Sequence, residues 1–242
     1  MRCDICIPAY NESLILETST KQVLDFCKRN LNNVDWSIIL IINGSNDNSP
    51  QLAKEITNLD KKIKAVIFSE PGRGKALKKY WLQSEADIFC YMDSDLAVEL
   101  DALPKLLYPL IKAEADLVIG NRYDKQSSIE RSALRELSSR TYNLLARLIL
   151  GHKQKDLQCG FKAVSKAAFV KLAEKANDSG WFFDTELIVW ANKLKLRVAE
   201  VPVNWHETRL GKRQSKVKLM SDSVDFIKRL LELRQRLNNT VK

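Results

Sequence analysis

Histidine is nearly absent from this chain of 242 residues, which has only His152 and His206. A His-based proton shuttle or metal cage therefore has little to build on, and both rings are expected to be structural or surface groups. Cysteine is sparse and odd in number (Cys3, Cys6, Cys27, Cys90, Cys159). Three of the five lie in apolar, strand-like runs, as expected of reduced core thiols in a cytoplasmic setting. Cys3-x-x-Cys6 has no second Cys pair to complete a zinc or redox site. No apolar run approaches the ~20 residues of a spanning helix. The longest core-like run is Trp36 to Ile42. Met1-Arg2-Cys3-Asp4 leads straight into a strand pattern and does not resemble a signal peptide. The expected location is cytoplasmic, with any membrane contact peripheral at the cytoplasmic face.

What the chain does have is a globular composition, 45% hydrophobic, and a formal net charge of +9. Its length allows one large α/β domain or two small ones. The charge favours an anionic partner: a nucleotide, a nucleic acid or a membrane surface.

Strand and helix patterns alternate through the first half. Strands are expected at Arg2–Pro8, Trp36–Ile42, Lys64–Phe68, Asp87–Met92 and Asp116–Gly120. Helices are expected at Glu12–Arg29, with Asn11 as N-cap, and after Pro50. Two more are expected at Gly74–Ser84 and Leu100–Ala113. Repeated βα units imply an α/β fold with a mostly parallel sheet and ligands at the carboxyl ends of its strands. The second half opens with a long helix, Ser132–Leu150, stopped by Gly151. On it Leu134, Leu137, Leu144, Leu145, Leu148 and Ile149 form one apolar stripe, while Arg131, Arg135 and Ser139 share another face. A loop from Asp156 to Lys162 follows. Beyond it come helices near Lys166–Lys175 and Phe183–Leu194, a strand at Arg197–Asn204, and a terminal helix, Val217–Leu237.

Polar residues gather at the strand ends. The first strand ends in Pro8-Ala9-Tyr10-Asn11-Glu12, the second in Asn43-Gly44-Ser45, and the fourth in Asp93-Ser94-Asp95. Two carboxylates two residues apart repel each other and are costly to desolvate, so a cation is expected to offset them. Hard carboxylate oxygens suit Mg²⁺ or Mn²⁺ shared with substrate phosphates; the competing reading is a helix cap or solvated turn. Gly72-Arg73-Gly74-Lys75 suggests a P-loop, but Ser69 and Ala76 stand where that pattern needs Gly and Ser or Thr. Its glycines are expected to let the backbone approach a ligand, with Arg73 and Lys75 facing diphosphate charge.

These motifs resemble those of GT-A-fold (Rossmann-like) glycosyltransferases of family 2, specifically the polyprenol- or dolichol-phosphate hexosyltransferases. The resemblance runs from about residue 3 to residue 237. It rests on Pro8–Glu12, Asp93-Ser94-Asp95, Gly120-Asn121-Arg122-Tyr123, Asp156–Lys162, Trp181–Leu187, Glu200–Trp205 and Ser215-Lys216-Val217. It implies inverting transfer of glucose or mannose from UDP-glucose or GDP-mannose to a polyprenyl or dolichyl phosphate. Pro8, Tyr10, Glu12, Asn43, Arg73 and Asp93 would hold the nucleotide. Asp93 and Asp95 would bind Mg²⁺ or Mn²⁺, and Arg122, Arg135 and Ser139 would receive the lipid phosphate. Asp156, Gln158, Asp184, Glu186 and Lys216 are further sugar or acceptor candidates. Asn43 stands where the family carries acid, and Ala97 where some mannosyl relatives carry Gln; both leave the donor open. The other readings are a family 2 enzyme with a soluble sugar or protein acceptor, a catalytically dead relative, and a non-catalytic membrane- or nucleic-acid-binding protein. The last leaves the strand-end acids unexplained, and nucleic acid is not an expected partner.

Residues 209–242 hold ten Lys or Arg against three acids. The boundary of the glycosyltransferase domain is expected at 216/217, followed by a basic helix with Phe226, Leu230, Leu233 and Leu237 in one stripe. That stripe lies either on anionic lipid or on its own domain.

Overall fold

The computed structural model describes residues 1–207 and 219–239, with side chains from Phe226 onward in the last segment. Lys216, the motif at 215–217, the 216/217 boundary and the basic loop lie outside the described residues. Among the described residues, nine strands and eight helices follow one another as β1 (Arg2–Ala9), α1 (Leu16–Asn30), β2 (Asp35–Asn43), α2 (Ser49–Ile56), β3 (Ile63–Phe68), α3 (Arg73–Gln83), β4 (Ile88–Met92), α4 (Leu103–Ile111), β5 (Leu117–Asn121), β6 (Ile129–Glu130), α5 (Ala133–Leu150), β7 (Phe161–Ser165), α6 (Lys166–Ala173), α7 (Phe183–Lys193), β8 (Val198–Pro202), β9 (Trp205–His206) and α8 (Leu219–Asn239).

Seven strands form one sheet in the order β3-β2-β1-β4-β7-β5-β8, and β6 with β9 forms a separate ribbon. Every pairing in the large sheet is parallel except those of β7, which runs antiparallel between β4 and β5. Strands covered on both faces read as continuous apolar runs, as β2 does. Side-chain alternation assigns Cys3, Ile5 and Ile7 to the layer with α1, α2 and α4, and Cys6, Ile39 and Ile41 to the layer with α3, α6 and α7. Cys3 and Cys6 therefore face opposite sides of the sheet and cannot share a metal. All five cysteines are free and buried.

Several expectations change. β7 was not expected: five residues of strand follow a polar loop directly and carry too short a pattern to read. The first helix starts at Leu16, and Asn11 does not cap it. Asn11 sits at φ 53°, and its side chain accepts from the Asn46 amide at 2.9 Å.

The two apolar stripes point to different partners. Leu230, Leu233 and Leu237 of α8 are buried in the domain, and Phe226 packs edge-on against Tyr142 of α5 at 5.2 Å. On α5, Leu134, Leu137, Leu144 and Leu148 face outward, whereas Asn143 and Ala146 are the buried residues. Leu233→Ala should cost ~2–5 kcal/mol in urea unfolding, while Leu148→Ala should stay within about 0.5 kcal/mol of wild type.

His206 bridges Glu99 at 2.8 Å and Glu130 at 2.9 Å, tying the loop after Asp95 to the small ribbon. Glu130, then Glu99, raises its pKa above the ordinary 6.5. The stabilisation is complete below the unfolded-state pKa and disappears as pH rises through the raised one. His206→Gln should therefore lower Tm at about pH 6 and leave it close to wild type at about pH 9.

Candidate active site

The loops at the strand ends are laced together by short polar side chains. The Asn11, Glu12 and Ser13 amides donate to Ser45, Ser49 and Asp47 at 3.0, 2.9 and 3.1 Å. Burial acts against the Asp47 carboxylate, but hydrogen bonds from Ser49 and Ser13 prevail and hold its pKa at about 2. Pro8 and Glu12 are buried beside the exposed Tyr10. Asn43 is buried and committed to the backbone. Its Nδ2 donates to the Ala9 carbonyl at 3.0 Å, and its Oδ1 accepts from the Gly72 amide at 3.3 Å.

Gly72 and Gly74 serve the chain's own packing. A Cβ on Gly74 would come within 2.5 Å of Phe183 Cβ, and one on Gly72, at φ 131°, within 2.8 Å of the Ser179 carbonyl. This close approach seats the start of α3 against residues 178–183. Arg73, the first residue of α3, then points inward, whereas Lys75 pairs with exposed Glu70.

Arg73 Nη1 donates to Asp93 Oδ1 at 2.7 Å, and Nη2 pairs with buried Asp184. The guanidinium lies 4.3 Å from the Trp181 ring and 5.3 Å from that of Tyr91. Lys162, fully buried on β7, holds the Cys159 carbonyl and lies 3.3 Å from Asp184 Oδ1, an ion pair without a well-directed hydrogen bond. Burial pushes the Lys162 pKa down to about 7, and burial pushes Asp184 up to about 7 against the pull of Arg73. Asp93 is raised first by burial and further by Asp95, which Arg73 opposes. The Asp93–Leu96 turn closes through the Leu96 amide on the Asp93 carbonyl at 3.1 Å. It holds Leu96 at φ 50°, a costly conformation for a branched residue. Gly160 lies directly beneath Asp93: any Cβ there would overlap the carboxylate.

Beside this cluster is a cavity of about 530 Å³ whose lining includes Arg122, Arg131, Arg135, Ser139, Gln158 and Asp184, with Leu134, Leu137, Trp181 and Trp205. Arg122 is not open for capture. Asp156 takes its Nε at 2.7 Å and its Nη2 at 2.8 Å, and both residues are buried. Burial would raise the Asp156 carboxyl, but Arg122 prevails and keeps it low. Arg135 pairs with half-buried Glu207, and Ser139 accepts from the Tyr123 hydroxyl at 2.8 Å. Glu186 faces away. It accepts from the Asp178 amide at 2.7 Å and pairs with Arg236 of α8, lining a different cavity. Positions 184 and 186, two apart on a helix, point in different directions, so Glu186 does not share the Asp184 cluster. Lys162, Trp181 and Trp205 stood in the resembling motifs and Arg131 on a named face of α5, but none of the four had been given a role in the site. A lysine inside a largely apolar pentapeptide was the available signal for the first.

Asp156→Ala should leave Arg122 buried without a counter-charge and cost ~3–5 kcal/mol in chemical unfolding. Glu207→Ala, at a half-exposed pair, should cost no more than about 1 kcal/mol.

The model of Glycosyl transferase family 2 matches residues 4–173. Glycosyltransferase AglD of Haloferax volcanii is 33% identical over 90% of this chain. The dolichyl-phosphate beta-glucosyltransferase of Saccharomyces cerevisiae is 27% identical over 95%. The chain spans about a third (34%) of the former and 73% of the latter. Among solved structures, glucosyl-3-phosphoglycerate synthase of Mycobacterium tuberculosis, in complex with UDP, aligns with a TM-score of 0.69 at 24% identity, covering 97% of this chain and 80% of that one. Mannosyl-3-phosphoglycerate synthase of Rubrobacter xylanophilus aligns at 0.72 and 15% identity, covering 99% and 75%. Those likenesses establish the fold. The sequence match, spanning the sheet and the carboxylate turn, establishes the rest: the chain belongs to glycosyl transferase family 2.

Proposed function

We propose that this chain transfers a hexose, glucose in the first instance, from a nucleoside-diphosphate sugar to the phosphate of a polyprenyl or dolichyl lipid, with inversion and with a divalent cation on the donor. The observation that carries this reading is the composition of the cavity beside Asp93. Three arginines and two serines line it together with leucines and tryptophans, which suits a phosphate attached to a hydrocarbon chain. The yeast enzyme and several other relatives are dolichyl-phosphate beta-glucosyltransferases, which favours glucose over mannose, and UDP is the nucleotide bound in the mycobacterial glucosyl-3-phosphoglycerate synthase.

The residues fit a divalent cation on one condition. Among the described residues no three His, Cys, Asp or Glu converge on a point. Asp93 and Asp95 would therefore supply two hard ligands at most, and the diphosphate and water the rest, as is usual for Mg²⁺. A cation so held would neutralise charge on the departing diphosphate. Arg73 adds a fixed positive charge at the same carboxylate, and Trp181 stacks over its guanidinium. An anionic phosphate acceptor needs placement more than a base. Arg122, locked by Asp156, supplies a fixed charge. Arg135 is the more adaptable partner, able to exchange Glu207 for phosphate.

Labelled UDP-glucose and GDP-mannose should each be incubated with a polyprenyl phosphate and Mg²⁺ or Mn²⁺. Organic-soluble label from UDP-glucose is expected; label found only on water-soluble acceptors would overturn the reading. Asp95→Asn should lower kcat roughly 10²–10³-fold. Arg135→Ala should raise KM for the lipid phosphate roughly 10–100-fold with little change in KM for the donor.

A further inference from the structure

Among the described residues, the outward stripe of α5 has no packing partner in the fold. Leu134, Leu137, Leu144 and Leu148 are 68%, 65%, 50% and 72% exposed, on a helix whose opposite side buries Asn143 and Ala146. At about 100° per residue the four leucines fall within an arc of roughly 80°, a narrow apolar edge rather than scattered exposure. Ile227 of α8, also exposed, lines the arginine-rich cavity together with Leu134 and Leu137, and exposed Leu231 lies one turn further along. Cations flank this edge. Arg140 and Arg147 stand beside the leucines, and Lys228 and Arg234 beside Ile227 and Leu231. The acids beside this edge are already paired, Glu136 with Arg131 and Arg140, and Glu232 with Lys228.

We infer that the outer face of α5, extended by Ile227 and Leu231, is the surface by which this protein sits on an anionic lipid bilayer. An apolar edge bordered by arginine and lysine matches the acyl–headgroup boundary, where leucines enter the hydrocarbon and guanidinium groups remain among lipid phosphates. The charge on the flanks favours this occupant over a second copy of the chain, which would bring the same cations against themselves. The placement also has a consequence for the site, and here it rests on the acceptor reading above. The cavity opens on the flank of this same helix, so a seated α5 puts Arg131 and Arg135 at headgroup depth. A lipid-borne phosphate then enters sideways, without leaving the membrane. The buried stripe of α8 holds the domain together and leaves the outer side of that helix for the bilayer.

Sedimentation of the full chain with phosphatidylcholine vesicles containing phosphatidylglycerol tests this. Wild type should pellet, and Leu144→Glu/Leu148→Glu should lose at least ~10-fold in partitioning at unchanged circular dichroism and Tm. Neither residue lines the cavity, so the double variant should glycosylate a water-soluble short-chain prenyl phosphate at the wild-type rate. If neither protein glycosylates any prenyl phosphate, the acceptor reading fails while the vesicle result still decides the surface. Leu148→Trp provides an independent measure: on adding vesicles, the emission of this variant should shift to the blue and be quenched by brominated lipid. The inference is overturned by undiminished pelleting of the double variant, by an emission of the Leu148→Trp variant that vesicles leave unshifted, or by light scattering that shows a wild-type dimer abolished by the two glutamates.

Discussion

The arrangement of this molecule depends on the ion pairs that Arg73 makes with Asp93 and Asp184. Carboxylates at the inner ends of a parallel sheet are expensive to desolvate, and Asp93 and Asp95 add mutual repulsion to that cost. Arg73 offsets it from within the chain, with Lys162 behind it on β7. The glycines around Arg73 let α3 begin against residues 178–183, and Trp181 in that segment covers the guanidinium. A donor diphosphate and its cation would enter a site already balanced by fixed charges, which limits the reorganisation that binding requires.

The same principle repeats in the neighbouring cavity. Arg122 with Asp156 and Arg131 with Glu136 hold cations in place by carboxylate partners, one pair buried and the other at the edge. Buried pairs of this kind contribute less to net stability than to fixing where the charge lies. Burial separates two kinds of arginine: those held by well-buried carboxylates, as Arg122 is, and Arg135, whose partner Glu207 is only partly buried.

Much of the fold was legible because strand and helix periods alternate so regularly through the first half. A mostly parallel sheet with polar carboxyl ends at Tyr10, Asn43 and Asp93 follows from that alternation. The carboxylate turn was legible for a similar reason: two acids closing a buried run need a counter-charge, whatever supplies it. Less of the site could be read. β7 is too short to announce itself, yet its antiparallel insertion puts Lys162 and Gly160 next to Asp93. Asp184 and Glu186 are equivalent in a linear pattern, but one enters the ion-pair cluster and the other braces α8.

The sequence by itself determined the class of fold, the polar strand ends and the acidic turn. Each of these depends on local period and on the desolvation cost of charge, which neighbours along the chain reveal. Only the tertiary structure decided which apolar stripe is core and which is surface. The stripes of α5 and α8 have the same helical period, and period records amphipathicity without recording its partner. Sheet order and the packing of Phe226 on Tyr142 turn the leucines of α8 inward and leave those of α5 outside.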